Sequence, residues 1–211
     1  MADEKKLLRR ILRDSRTALT LARVEAMSSL IQPRVLALDH YRNARTVVLY
    51  APKDNEVQTE SILAESLASG RAVYYLRLEA AHGRMLLVRV ADAGELQPGA
   101  YGIREPIGRD TLDVNALGDA IICVPGLGFS RDGYRLGRGG GHYDRLIADI
   151  GPAVTTIGLA YSFQLLERMP QRPHDQRLDL VVTEAAVHDA ACDSASKWGQ
   201  VHEGGVPRCN C

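Results

Sequence analysis

The sequence predicts an α/β protein built in three layers, a mostly parallel sheet with helices on both faces. Two observations lead there. Short apolar runs bounded by Pro, Gly or polar turns recur at 46–50, 72–76, 85–90, 119–124, 154–159 and 180–183, the mark of buried strands. Segments of helical periodicity alternate with them, and that order favours parallel strands joined by crossover helices. Of 211 residues, 45% are hydrophobic and 25% charged, an ordinary globular balance. A chain of this length buries one good core. We therefore expect one domain over residues 1–190 and a poorly ordered tail over 191–211, where composition turns small and polar.

Formal charge balances at zero, 26 basic against 26 acidic side chains. Without a global field to gather nucleic acid or an anionic membrane, any anion site must be local. We expect neither partner, and a monomer. No apolar run approaches the roughly 20 residues of a membrane span, and the mixed-charge amino terminus is unlike a secretory signal. The expected address is the cytoplasm. Cys123 lies in an apolar run, where a free thiol acts as a small hydrophobe. Cys192, Cys209 and Cys211 fall in the tail, and the one residue between the last two is short of the usual zinc spacing of about two to four.

Taken in order, residues 5–19 read as an amphipathic helix. Leu8, Leu12 and Leu19 lie near one face, while Lys5, Arg9, Arg13 and Arg16 form a basic stripe at helical spacing. Such a stripe on its own reads as a solvated face. Thr20 suits the N-cap of a second helix carrying Met27, Ile31, Val35 and Leu38, which Pro33 should kink or split. Beyond the first strand lies Glu56, at the carboxyl end of a strand where open α/β sheets bind ligands. Thr59 suits the cap of a helix that stops at Gly70. Arg77, Glu79, His82 and Gly83 read as a polar turn, with His82 a surface histidine. Residues 96–106 lack periodicity and read as a long irregular loop, a common place for function.

The most informative stretch is 124–145, VPGLGFSRDGYRLGRGGGHYDR. An apolar strand stops at Pro125, a glycine-rich loop follows, and His142-Tyr143-Asp144-Arg145 open a helix. In that layout backbone N–H groups and a helix amino terminus converge on an anion. Arg135, Arg138 and Arg145 add donors suited to phosphate oxygens. The dinucleotide fingerprint fails because His142 stands where glycine is required, and no Gly-Lys-Ser/Thr completes a P-loop.

The stretch resembles the signature of the 5-formyltetrahydrofolate cyclo-ligase (methenyltetrahydrofolate synthetase) family. The matching residues are Pro125-Gly126-Leu127-Gly128-Phe129, then Gly133-Tyr134-Arg135-Leu136-Gly137-Arg138-Gly139-Gly140-Gly141-His142-Tyr143-Asp144. His142 departs from it, standing where the family usually has an aromatic residue. The resemblance runs from Lys5 to about Glu184. It implies a Lys-x-x-x-Arg pair on the first helix that reaches ATP phosphates. Lys5 with Arg9 fits, as does Lys6 with Arg10; Leu12 and Arg13 keep the family register for the first pair.

The resemblance further implies ATP contacts from Arg135, Leu136, Gly137, Arg138, Gly139, Gly140, Gly141, His142 and Tyr143. It implies folate contacts from Ala51, Glu56, Arg138, Gly139, Gly140, Gly141 and His142; Glu56-Val57-Gln58-Thr59 matches the family's Glu-x-x-Thr element. Residues 102–106 match a Gly-x-x-Glu-Pro segment lining the folate cleft, and 158–164 a Gly-hydrophobic-Ala-Tyr/Phe-x-x-Gln element. There Tyr161 and Phe163 are either core or site wall. Asp144 and Asp175 match acidic positions linked to magnesium. Arg138 and Tyr143 are the expected catalytic groups, Arg138 against charge on the transferring phosphoryl group.

The implied reaction is ATP-dependent closure of 5-formyltetrahydrofolate, with or without a polyglutamate tail, to 5,10-methenyltetrahydrofolate, releasing ADP and phosphate. A formamide oxygen is a poor leaving group; phosphorylated, it departs as phosphate when the neighbouring amine nitrogen closes the ring. The protein's part is positioning and charge stabilisation. The competing reading is a non-catalytic nucleotide- or RNA-associated binding protein on the same scaffold. That protein should show lost phosphate ligands or an appended basic or aromatic segment, and the sequence displays neither.

Overall fold

The apolar runs pair into the central sheet of the computed structural model, which describes residues 2–79, 84–99 and 102–190. The elements in order are α1 (Ala2–Thr17), α2 (Leu21–Ala37), α3 (Asp39–Asn43), β1 (Thr46–Leu49), α4 (Glu60–Ala68), β2 (Ala72–Glu79), β3 (Arg84–Arg89), β4 (Leu96–Pro98) and β5 (Arg104–Pro106). There follow β6 (Thr111–Leu112), β7 (Ala120–Val124), β8 (Gly128–Ser130), β9 (Arg135–Leu136), α5 (His142–Asp149), β10 (Val154–Leu159), β11 (Leu165–Leu166), β12 (Leu180–Val182) and β13 (Val187–Asp189). The tail with Cys192, Cys209 and Cys211 lies outside the described residues, as do His82 and Gly83.

Eight strands form one sheet in the order β13-β12-β10-β7-β1-β2-β3-β6. From β12 through β10, β7 and β1 to β2 the pairing is parallel, while β13, β3 and β6 are antiparallel additions at the edges. The mostly parallel α/β sheet predicted from the sequence is therefore the observed one. After β1 the chain moves to β2 on one side, and returns later to place β7 on the other. The sheet's topological switch point lies between β1 and β7, and the crevice outside their carboxyl ends is where such sheets bind ligands.

Both faces of the sheet are covered, as the continuous apolar strands require. Val47, Leu49, Ile121 and Cys123 pack with Ile31, Val35 and Ile62 from α2 and α4. Their alternate neighbours Val48, Ile122 and Val124 pack on the other face with Leu117, Tyr143 and Ile147. A smaller cluster of Leu12, Leu127, Leu136 and Met169 seats α1 on the three-stranded sheet β11-β8-β9. Burial puts Cys123 where its thiol pKa is pushed up to about 12, so it is a core residue.

Several local expectations change. The stripe of α1 is only in part a solvated face: Arg13 is exposed and Arg9 partly so, but Lys5 and Arg16 are buried with Leu12 on the inward side, while Leu7 and Ile11 are about half exposed. Residues 96–106 are not a featureless loop, since β4 and β5 pair antiparallel. Arg77 and Glu79 belong to β2, with Arg77 donating to the carbonyls of Pro106 and Gly108. α2 runs unbroken across Pro33, because its buried face of Val24, Ile31 and Val35 outweighs one missing helical bond near its end. Thr20 caps α2, its hydroxyl accepting from Arg23 N–H.

Thr59 stands at the N-cap of α4 but turns its hydroxyl to the Tyr50 carbonyl at 3.2 Å. The open N–H groups of α4 are met from another helix: Gln32 Oε1 accepts from Ser61 N at 2.7 Å and Ile62 N at 3.4 Å. A cap supplied across the core should matter as much as a local one. Gln32→Ala is expected to lower unfolding free energy by about 1–2 kcal/mol, read from urea denaturation midpoints at unchanged m.

Candidate active site

The two loops leaving the switch point are held by α1. In the loop after β1, Asp54 and Asn55 adopt left-handed backbone with φ of 49° and 60°, which Asn and Asp tolerate better than most residues. That turn aims the Asn55 amide at the end of α1, where Nδ2 donates to the carbonyls of Arg16 (3.2 Å), Thr17 (3.4 Å) and Leu19 (2.9 Å). Arg16 and Thr17 are the last residues of α1, and Leu19 lies just past its end. Glu56, next in the chain, is buried and accepts from Lys53 N at 3.1 Å.

The loop after β7 is packed by a single ring. A Cβ at Gly126 would come within 2.7 Å of Phe129 Cζ, and one at Gly158 within 2.6 Å of Cε1, so both positions admit only glycine without repacking. Further on, Gly139 (φ 112°) and Gly141 (φ 65°) take left-handed backbone, and Gly141 starts α5 with no side-chain cap. Arg9 Nε donates to the Gly137 carbonyl at 2.9 Å, tying α1 to the heart of the loop. Lys5 Nζ lies 2.5 Å from Asp175 Oδ2. Lys6 and Arg10 are exposed, whereas Lys5 is buried and Arg9 reaches the loop.

Arg135 is nearly enclosed. Its Nη2 donates to Asp144 Oδ2 at 3.2 Å, and its guanidinium lies 5.2 Å from the Tyr143 ring centroid. Its Nε is buried without a hydrogen-bond acceptor among the described residues. Burial lowers the Arg135 pKa and Asp144 opposes that shift. Arg138 forks over the facing loop, Nη1 to Asp54 Oδ2 at 2.8 Å and Nη2 to Glu56 Oε1 at 3.2 Å. The Tyr143 hydroxyl stays neutral, because burial, with Glu56 adding to it, pushes its pKa well above the usual tyrosine range.

His142 accepts at Nδ1 from Arg145 Nη2 at 2.9 Å, since a guanidinium can only donate. Its ring lies against Gly140, where a Cβ would fall 2.7 Å from Nε2. Both His142 and Arg145 line a cleft of about 480 Å³ with Met85, Leu86, Leu112 and Asn115. A larger cleft of about 700 Å³ between the α1–α2 junction and Phe163 holds none of the expected catalytic, ATP, folate or magnesium residues. Leu136 points into the apolar cluster beneath α1, and Ala51 sits half-buried past the end of β1. Tyr161 is fully buried and stacks on Phe163, which is partly exposed.

Asp144 and Asp175 each face a cation, Arg135 and Lys5. No group of three or more His, Cys, Asp or Glu side chains gathers among the described residues. Two carboxylates nonetheless suit magnesium, which takes its other ligands from phosphate oxygens and water. Sequence reasoning missed the roles of Arg16, Asp54 and Asn55. The Asp-Asn pair was a visible turn signal; nothing showed what it would cap.

A profile of the 5-formyltetrahydrofolate cyclo-ligase family matches residues 1–184. The chain belongs to that family. It is 30% identical over 172 residues to the 5-formyltetrahydrofolate cyclo-ligase of Mus musculus, covering 74% of this chain and 82% of that one. With the Escherichia coli (strain K12) cyclo-ligase it shares 29% over 181 residues, 84% of this chain and 98% of the other. The NMR structure of Aquifex aeolicus 5,10-methenyltetrahydrofolate synthetase superposes with a TM-score of 0.77 at 30% identity, over 95% of this chain and 96% of that one. No helix among the described residues is long and apolar enough to cross a membrane.

The Lys5–Asp175 contact has a measurable consequence. Burial tends to raise the Asp175 pKa, but the Lys5 ammonium and the Arg172 N–H outweigh it and hold the carboxyl below its ordinary value. A depressed folded-state pKa contributes stability above the unfolded value, about 3.9, that is lost as pH falls through the folded one. Asp175→Asn should therefore destabilise at pH 7, with the difference from the parent shrinking toward pH 2–3, in urea titrations across that range.

Proposed function

We propose that this protein closes 5-formyltetrahydrofolate to 5,10-methenyltetrahydrofolate at the expense of ATP. The observation that carries the reading is the gathering of Arg9, Arg135 and Arg138 at one glycine loop, opposite Glu56, at the switch point of the sheet, with Lys5 on the same inward side of α1 paired to Asp175. Cations around a main-chain cradle suit a polyphosphate. The folate is proposed to sit beside that loop, against Glu56 and Arg138.

In this reading the γ-phosphoryl group passes to the formyl oxygen, whose attack displaces ADP. The neighbouring amine nitrogen then adds to the formyl carbon and gives up its proton, and phosphate leaves with that oxygen. Lys5, Arg9 and Arg135 hold phosphates, and the buried Arg135 Nε has a donor to spare. Arg138 leaves Asp54 and Glu56 to meet the charge of the transferring group, while Glu56 keeps its place against the folate. Neutral Tyr143 offers a hydrogen bond at the rim. Magnesium, held by Asp144 and Asp175, would neutralise phosphate charge. We further propose a monomer acting in the cytosol without nucleic acid, and activity on polyglutamylated folate.

Appearance of methenyl-folate absorbance only with both ATP and magnesium tests the reaction; absence of product with both would remove it. Lys5→Ala and Arg9→Ala should each weaken ATP binding by about tenfold or more, measured calorimetrically, whereas Lys6→Ala and Arg10→Ala leave it unchanged. The reverse pattern would shift the register by one residue. Arg138→Lys keeps charge and loses the fork. Its turnover should fall roughly 100-fold or more with much smaller change in ATP affinity, and normal turnover in single-cycle kinetics would move the chemistry elsewhere.

A further inference from the structure

Beyond the residues already given roles, one buried cation from α1 touches both loops of the site. The Arg16 side chain is only 2% exposed. Its Nε donates to the Asp54 carbonyl at 3.0 Å and its Nη1 to the Gly126 carbonyl at 2.9 Å, while Nη2 lies 3.4 Å from Glu56 Oε1. One guanidinium therefore sets the spacing between the loop after β1 and the loop after β7. Its own backbone is fixed in turn, since Asn55 Nδ2 donates to the Arg16 carbonyl.

We propose that Arg16 is a positioning residue for Glu56. Glu56 Oε1 lies between two guanidinium groups of unequal freedom, Arg16 in the core and Arg138 with 45% of its side chain exposed. When Arg138 turns toward a phosphoryl group, Arg16 alone remains to partner Oε1, and Lys53 N holds the other oxygen. An unpaired buried carboxylate would move, take a proton or draw in water. Arg16 keeps it paired and aimed through the cycle.

The proposal rests on the reading above, in which Glu56 meets the folate. A double-mutant cycle tests it, with Michaelis constants for both substrates and the thermal midpoint as readouts. Arg16→Gln should raise KM for 5-formyltetrahydrofolate about tenfold and change KM for ATP by less than about twofold. In a Glu56→Ala background the same change at Arg16 should add nothing to the folate KM. Effects that multiply in the double variant overturn the role, as does a lowered thermal midpoint with both KM values unchanged. Arg16→Lys preserves a buried cation where Gln fails to fold; it should raise the folate KM in the same direction, and a parental value would overturn the proposal. A parent protein without cyclisation activity would instead overturn the functional reading, and with it the partner assigned to Glu56.

Discussion

Alternating charge at the β1–β7 switch point is the constraint on which the carboxyl edge of the sheet depends. Arg16, Glu56, Arg138 and Asp54 follow one another in contact, positive and negative in turn, from the buried end of α1 to the glycine loop. Arg16 and Glu56 are both buried, and neither could stay so with its charge unmatched. Each group is thus a condition for the next. The amino-terminal helix, the loop after β1 and the loop after β7 are three distant parts of the sequence, and these contacts make them one site.

The glycines answer a second constraint, close approach. Phe129 fills the space beneath the loop after β7, with Gly126 and Gly158 on either side where side chains would collide with its ring. Gly128 meets Leu12 of α1 in the same way, a Cβ there lying 2.6 Å from Cδ1. The early glycines of the stretch are therefore packing residues that let α1 and β10 close on the loop. Gly139 and Gly141 do something else, turning the main chain through left-handed conformations just before α5. One stretch of sequence carries both uses, and only the second shapes the main chain at the start of α5.

The strand pattern was legible because parallel strands buried on both faces read as unbroken apolar runs, and five of them lie at the centre of the sheet. The site loop was legible as chemistry from its arginines and glycines, and as a family from the order of residues around them. Edge strands were not: β4, β5 and β6 have three residues or fewer, too short for any period to show. Nor could local rules find the cap of α4. A threonine before a helix is the expected acceptor for its first N–H groups, and here the Thr59 hydroxyl donates to the Tyr50 carbonyl while Gln32, from α2, does the capping. Such exchanges are settled by tertiary packing, which spacing along the chain does not encode.

The basic stripe of α1 shows why residue type alone misled. Lysine and arginine at helical spacing normally face water, because burying them without partners is costly. Here the surface α1 docks on offers carbonyls and carboxylates as well as apolar groups, and the cations divide among them by shape. Lys5 places a compact ammonium on one carboxylate oxygen of Asp175. Arg16 spreads three nitrogens over two main-chain carbonyls and Glu56, a task a point charge cannot perform. Leu12 stands between them in the apolar cluster. The face that meets the fold is set by what lies opposite it, and that is why Leu7 and Ile11 remain in solvent while Lys5 and Arg16 do not.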